Sequence, residues 1–321
     1  MFSARDKILT SIEPVIQRAR RVSLVEEKVD ELAREVKESP VPPWDNQLQF
    51  LGTPEETLQY YFLLDSINFC FWAKKGDERW SYWVDGAWMQ GYYAYSRALK
   101  DAVERDTSLL EANVLSELSE ERFRTIFQGK NELLLMPERW WIVRENFTIL
   151  KDTFEGQAHT LVAAAQRDVN KLVSLLLEHF PTFRDVTPYD GYDVWLLKRA
   201  QIFCSDISFA LPDHPGTKFT NLGDLTVFAD YKLPQILESV GVLRYDDDLE
   251  RRVREEELIV AGSPEEVEIR AFTIHAIELL RARIESLGRS LTTNEVDWIL
   301  WVLAKQTSFE KPHHKTLTTF Y

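Results

Sequence analysis

The sequence predicts an all-α protein, or nearly so, folded as a single compact helical domain with one short β hairpin as its strand candidate. Three observations carry that expectation. Capping boxes open three stretches of the chain, sustained period-2 alternation is absent, and no fixed-period repeat points to a solenoid. The first helices are expected over 5–20 and 22–38. Both are amphipathic and highly charged, as a surface layer would be. The segment SPVPPWDNQ, 39–47, is a rigid proline-rich turn. Residues 1–45 are therefore expected to form charged helices packed on a body that spans 46–321.

Thr53-Pro-Glu-Glu56 opens a helix over 54–75. Its hydroxyl can cap the third amide, the glutamate can reach back to the cap, and proline at the first helical position loses no bond. RWSYWV, 79–84, is the strand candidate. Helices over 86–105, 117–128, 137–152, 157–179 and 190–208 follow. The helix 231–240 ends at Gly241 and is followed by 246–257. Ser263-Pro-Glu-Glu266 opens 264–287, which Gly288 stops, and Thr292-Thr-Asn-Glu295 opens 293–305.

The chain has 321 residues, 45% of them hydrophobic, enough for a large core. Ten Trp, eleven Tyr and eighteen Phe also suit a ligand pocket, because several stand beside polar residues. Net charge is −14 and the isoelectric point about 5.0. A binder of long nucleic acid needs the opposite sign, whereas a small anion needs only a local basic pocket. Cys70 and Cys204 form no zinc pattern and suit reduced, buried thiols in a cytoplasmic protein. The opening MFSARDKILTSIEP has no apolar signal core. The most apolar run, TLQYYFLLDSINFCFWA, is interrupted by Asp65 and Asn68, so no membrane span is expected. There is no GxSxG elbow, P-loop, GxGxxG or HExxH. No metal or cofactor is expected, and enzymatic chemistry, if present, runs on carboxylates.

Four segments can carry it. In LLDSINFCFW a helix would put Asp65, Phe69 and Trp72 on one face with Asn68 beside Asp65. A buried carboxylate needs partners. Asp65 is either a member of a structural network or, with Asn68, part of a pocket floor on which Trp72 or Phe69 supplies a stacking face. In VWLLKRAQIFCSD, Trp195, Lys198, Arg199, Ile202 and Asp206 share a face. Lys198 and Arg199 either snorkel at the rim of a core helix or meet an anionic group. The tail KPHHKTLTTFY has cations and hydroxyls that suit a phosphate monoester through His313, His314 and Lys315. The competing reading is a disordered terminus. In FADYKLPQIL, Asp230 is placed to cap a helix. The helix start would also keep that carboxylate ionised between Phe228 and Tyr231, facing a cation such as the one that develops in glycoside cleavage.

Taken together, YFLLDSINFCFW, LLKRAQIFCSD, TVFADYKLPQILESVGVL, EEVEIRAFTIHAIELL and PHHKTLTTFY resemble the queuosine salvage proteins, the queuosine 5′-phosphate N-glycosylases/hydrolases. The resemblance runs from about residue 50 to the C-terminus. It implies a helical fold similar to helix-hairpin-helix DNA glycosylases, in which a catalytic Asp also opens a helix. It implies that Asp230 is the catalytic carboxylate and that Lys198 and Arg199 lie near a bound mononucleotide. The implied reaction releases queuine, a 7-deazaguanine base, from queuosine 5′-monophosphate for reuse in transfer RNA. Carbon at position 7 removes one site of leaving-group protonation and shifts the burden to stabilising the ribosyl cation. The other class consistent with the residues is a non-catalytic helical ligand-binding or adaptor protein. It would present an exposed apolar groove, with these side chains spread over several faces. Oligomeric state is left open.

Overall fold

The computed structural model describes residues 2–44 and 46–321; Met1 and Asp45, the last residue of the expected N-terminal layer, lie outside it. The chain begins with α1 (Ala4–Arg18), β1 (Val22–Leu24), α2 (Glu26–Glu38) and α3 (Pro54–Ser66). A hairpin, β2 (Ser81–Val84) and β3 (Ala87–Gln90), leads into α4 (Gly91–Arg105). There follow α5 (Ala112–Ser116), α6 (Glu120–Ile126), α7 (Met136–Thr153), α8 (Ala158–Ala164) and α9 (Val169–His179). A second hairpin, β4 (Val186–Tyr189) and β5 (Tyr192–Trp195), precedes α10 (Lys198–Ala210). The chain closes with α11 (Lys232–Ser239), β6 (Leu243–Tyr245), α12 (Asp247–Arg254), α13 (Pro264–Ser286) and α14 (Thr293–Gln306). The protein is nearly all-α. Among the described residues, no helix is long and apolar enough to cross a membrane.

The helix starts follow their caps. Thr53 and Thr292 each form the full reciprocal box with Glu56 and Glu295. Ser263 caps the amide of Glu266, but the glutamate turns elsewhere, accepting from the Gly262 amide and pairing with Arg270. Gly241 and Gly288 stop α11 and α13 with φ of +80° and +90°, a conformation open to glycine at little cost.

Departures from the expected elements have tertiary causes in some places and local turns in others. Residues 22–24 are a strand because the Glu268 carboxylate takes the amides of Arg20, Arg21 and Val22 and holds them extended against β6. The expected helix 157–179 is split where Gln166 and Arg167 turn left-handed, and Asp168 recaps the chain for α9. Asp190-Gly191 turns β4 into β5, as Asp85-Gly86 turns β2 into β3. There are thus three strand pairs among the described residues where one hairpin was anticipated.

The most consequential departure is the early end of α3. Helix C-termini leave carbonyls without partners. Here buried cations take them: Arg199 bonds the carbonyls of Ser66 and Thr182, Arg139 those of Ile67 and Phe69, and Lys198 that of Asn68. Cys70 adopts φ of 45°, so residues after Ser66 cross the core as an irregular strap. Asn68, Phe69 and Trp72 therefore do not share a helical face with Asp65.

Candidate active site

A cavity of about 480 Å³ opens between α10, the segment before α11, α14, the strap after α3 and the proline turn before α3. Asp230 lines it. Its Oδ1 accepts the amides of Lys232 at 2.7 Å and Leu233 at 3.0 Å, so the carboxylate does cap α11. Burial pushes Asp230 above the usual carboxylate range. The amides of Leu233 and Lys232 and the charges of Lys198 and Lys232 oppose that shift and favour the ionised form.

Lys198 also lines the cavity, with its Nζ 2.9 Å from the Asn68 carbonyl and 3.3 Å from Asn68 Oδ1. Asn68 in turn donates to Asp65 Oδ1 at 3.1 Å. Burial depresses Lys198, while Asp230 and then Asp65 hold its charge. One buried ion pair fixes both Lys198 and Asp230. Arg270 bonds both Asp185 oxygens, at 2.9 and 2.6 Å, and also donates to the carbonyl of Ala229 at 3.1 Å. Asp185 accepts the amide of Lys198 at 3.2 Å. A charge taken from this pair would leave its partner buried and uncompensated.

Asn68, Lys198, Phe228, Asp230 and Tyr231 all line the cavity. Asp65 does not; it stands behind the wall and acts on Asn68. Arg199 is spent on the carbonyls of Ser66 and Thr182, outside the lining. Trp72 packs beside His313, which lies over Tyr231 at 4.4 Å between ring centroids. His314 bonds the hydroxyl of Tyr321 at 3.2 Å. Lys315 pairs with Glu256 at 2.7 Å and donates to the Ala73 carbonyl. The tail is thus ordered, and it braces the strap and Tyr231 from behind: Cys70 N donates to Tyr321 O at 3.0 Å. Lys315 is paired within the protein, burial favours the neutral form of both histidines, and none of the three lines the cavity, which speaks against the expected phosphate role of His313, His314 and Lys315. Of the tail residues, Tyr321 lines the cavity.

Besides Lys198, three cations face the cavity, Arg79, Lys232 and Lys305, which were not expected there. Among the described residues none of them forms an ion pair with a carboxylate. They repel one another: burial first, then Arg79 and Lys232, push Lys305 down to about 8. A second, acidic group is also present. Asp206 and Asp297 line the cavity buried, and both are raised well above the usual range, first by burial. Near them are two acceptors with no donor, Asn294 Oδ1 and Gln49 Oε1.

Helix α14 joins the two groups. Asn294, Asp297, Trp298, Trp301 and Lys305 follow helical spacing along its inner face. From Asn294 to Lys305 the helix rises about 16 Å, at 1.5 Å per residue. Between those ends lie Trp298 and Trp301, stacked at 5.4 Å, and Trp44, which stacks on Phe209 at 5.3 Å. The proline turn is held there by Trp298 Nε1, which donates to the Pro42 carbonyl at 3.0 Å.

Comparison with known proteins places this architecture. The queuosine salvage protein family matches residues 48–321. The chain belongs to that family. A protein from Sphaerobacter thermophilus named queuosine 5′-phosphate N-glycosylase/hydrolase is 39% identical, over 98% of this chain and 97% of its own. Proteins of the same name from Dictyostelium discoideum and Mus musculus are 35% and 32% identical, over 83% and 86% of this chain and 79% and 85% of their own. Within this queuosine salvage chain, one cavity brings Lys198 and Asp230 to one place. An adaptor would have presented an open groove with these residues apart. The family match begins after the proline turn, yet Pro42, Pro43 and Trp44 complete the cavity wall.

Proposed function

We propose that this protein hydrolyses the N-glycosidic bond of queuosine 5′-phosphate and releases queuine. One observation carries the reading: Asp230 stands in an aromatic cavity between a cluster of cations that pair with no carboxylate and a cluster of buried acceptors. The substrate has the matching polarity. Its 5′-phosphate would meet Arg79, Lys232 and Lys305, relieving their mutual repulsion. Its 7-deazaguanine edge, which donates hydrogen bonds, would meet Asp206, Asn294 Oδ1 and Gln49 Oε1. The ring would lie among Trp44, Trp298 and Trp301. The glycosidic bond then falls near Asp230.

Asp230 stabilises the positive charge that grows on the ribosyl carbon as the bond breaks. The amides of α11 hold that carboxylate without spending its second oxygen. Lys198 anchors the wall through Asn68 and supports the charge of Asp230. A mononucleotide, not a polymer, suits a cavity of about 480 Å³ in a chain of net charge −14. The free, buried thiols of Cys70 and Cys204 support a reducing, cytoplasmic setting.

The test is incubation with queuosine 5′-monophosphate and detection of free queuine by mass spectrometry. The protein is expected to release queuine. Asp230→Asn keeps the cap, since Asn caps as well as Asp, and is expected to lower kcat by about 10³-fold or more. Near-normal queuine release by Asp230→Asn refutes the role of that carboxylate.

A further inference from the structure

The mechanism above leaves one group in the cavity unused. Asp297 lies on the first turns of α14, 7% exposed. Its Oδ1 accepts the amide of Phe228 at 3.2 Å, on the same short segment that carries Asp230. Among the described residues, it forms no other hydrogen bond and no ion pair. The charged groups facing it are Asp230 before α11 and Lys198 and Asp206 on α10. One carboxyl is thus tied to the backbone near Asp230 with an oxygen to spare. The two carboxyls also live in different surroundings. Asp230 accepts two amides and has Lys198 and Lys232 near it, whereas Asp297 accepts one amide and faces acids. Burial and the charge of Asp230 favour its protonated form, against weaker opposition from Phe228 N–H and Lys198. Two carboxyl groups held apart in protonation are the arrangement that splits acid and charge-stabilising roles.

We propose that Asp297 is the general acid that protonates the departing base. The inference rests on the glycosidase reading. A 7-deazapurine has no nitrogen at position 7, so the proton must go elsewhere; N3, beside the glycosidic nitrogen, is open to a donor. The proton of Asp297 passes to N3 as the C1′–N9 bond breaks, and the bonding pair stays on the base, which leaves neutral. Water then adds its oxygen to C1′ and gives a proton to the Asp297 carboxylate, restoring it. Asp230 remains ionised before and after.

The experiment compares two substrates on the intact protein. One is queuosine 5′-monophosphate. The other is 4-nitrophenyl β-ribofuranoside 5-phosphate, whose leaving group departs without a proton. Asp297→Asn is expected to slow the first by about 100-fold or more and to leave the second within about threefold. Asp230→Asn is expected to lose both. At saturating queuosine 5′-monophosphate, kcat of the unaltered protein should fall as pH rises through the titration of the acid, and that alkaline limb should vanish from the residual kcat of Asp297→Asn. If Asp297→Asn does not fold, Asp297→Glu replaces it, and should slow the natural substrate selectively and shift the limb. Equal losses on both substrates, an unchanged natural rate, or an alkaline limb that survives in Asp297→Asn each overturns the proposal. Absence of queuine release by the unaltered protein refutes the glycosidase reading instead.

Discussion

The two ends of the cavity are built on opposite principles from one helix. At the start of α14, Asn294 and Asp297 meet Asp206 in a buried acidic pocket where Asn294 Oδ1 and Gln49 Oε1 lack donors. At its end, Lys305 meets Arg79 and Lys232 in a pocket of cations that lack anions. Each end is unfavourable by itself, because burial penalises the charge and like neighbours add to the penalty. Neither end neutralises the other, since the tryptophans and roughly three turns of helix separate them. A ligand with a dianion at one end and hydrogen-bond donors at the other relieves both. On the proposed function, the difference between the ends would set the direction in which the nucleotide lies and bring the bond to be cut beside Asp230.

Damage to the joint between the ends has the largest expected effect on the fold. Arg270→Met leaves Asp185 buried without its partner and frees the Ala229 carbonyl. Chemical denaturation should show a loss of about 3–5 kcal/mol. The next effect isolates the cation end. Lys305→Met should lower kcat/KM for queuosine 5′-phosphate by about 10- to 100-fold, the range of a charge-assisted hydrogen bond. The free nucleoside should be little affected; parallel losses on both would remove the phosphate from that end. A pH series tests the same end more gently. Lys305 is pushed down to about 8, so it is cationic below that pH and loses its charge above it. KM for the phosphorylated substrate should rise as pH climbs past about 8, while that for the nucleoside stays flat. The smallest effect is expected from the tail. Lys315→Ala removes the contacts with Glu256 and Ala73, lies off both ends, and should leave the ratio of kcat/KM for nucleotide and nucleoside unchanged.

Some of the site could be read in advance and some could not. Asp230 was legible because its cap is a bond to amides two and three residues ahead, all within FADYKLPQIL. Asp206 was legible as a position, being on the same helical face as Lys198, but its place in the acidic end was not. Lys232 sat two residues from Asp230, yet nothing local shows that it joins Arg79 and Lys305. The expected helical face shared by Asp65, Phe69 and Trp72 failed for a specific cause: the strap after Ser66 exists because Arg139, Arg199 and Lys198 arrive from distant helices to take its carbonyls. The missed strand pair at 186–195 had a local signal, Asp190-Gly191 between short apolar runs, as did Asp85-Gly86 in the first hairpin.

Local chemistry was enough to set the helical class and the starts of α3, α13 and α14, because a capping side chain bonds amides within three residues of itself. It was also enough to aim Asp230. Where α3 stops, which cations are already neutralised, and which acids face the cavity depend on groups brought together from opposite ends of the chain. Those matters were decided by the tertiary structure, because desolvation and charge pairing belong to the assembled surroundings of a side chain and not to its neighbours in sequence.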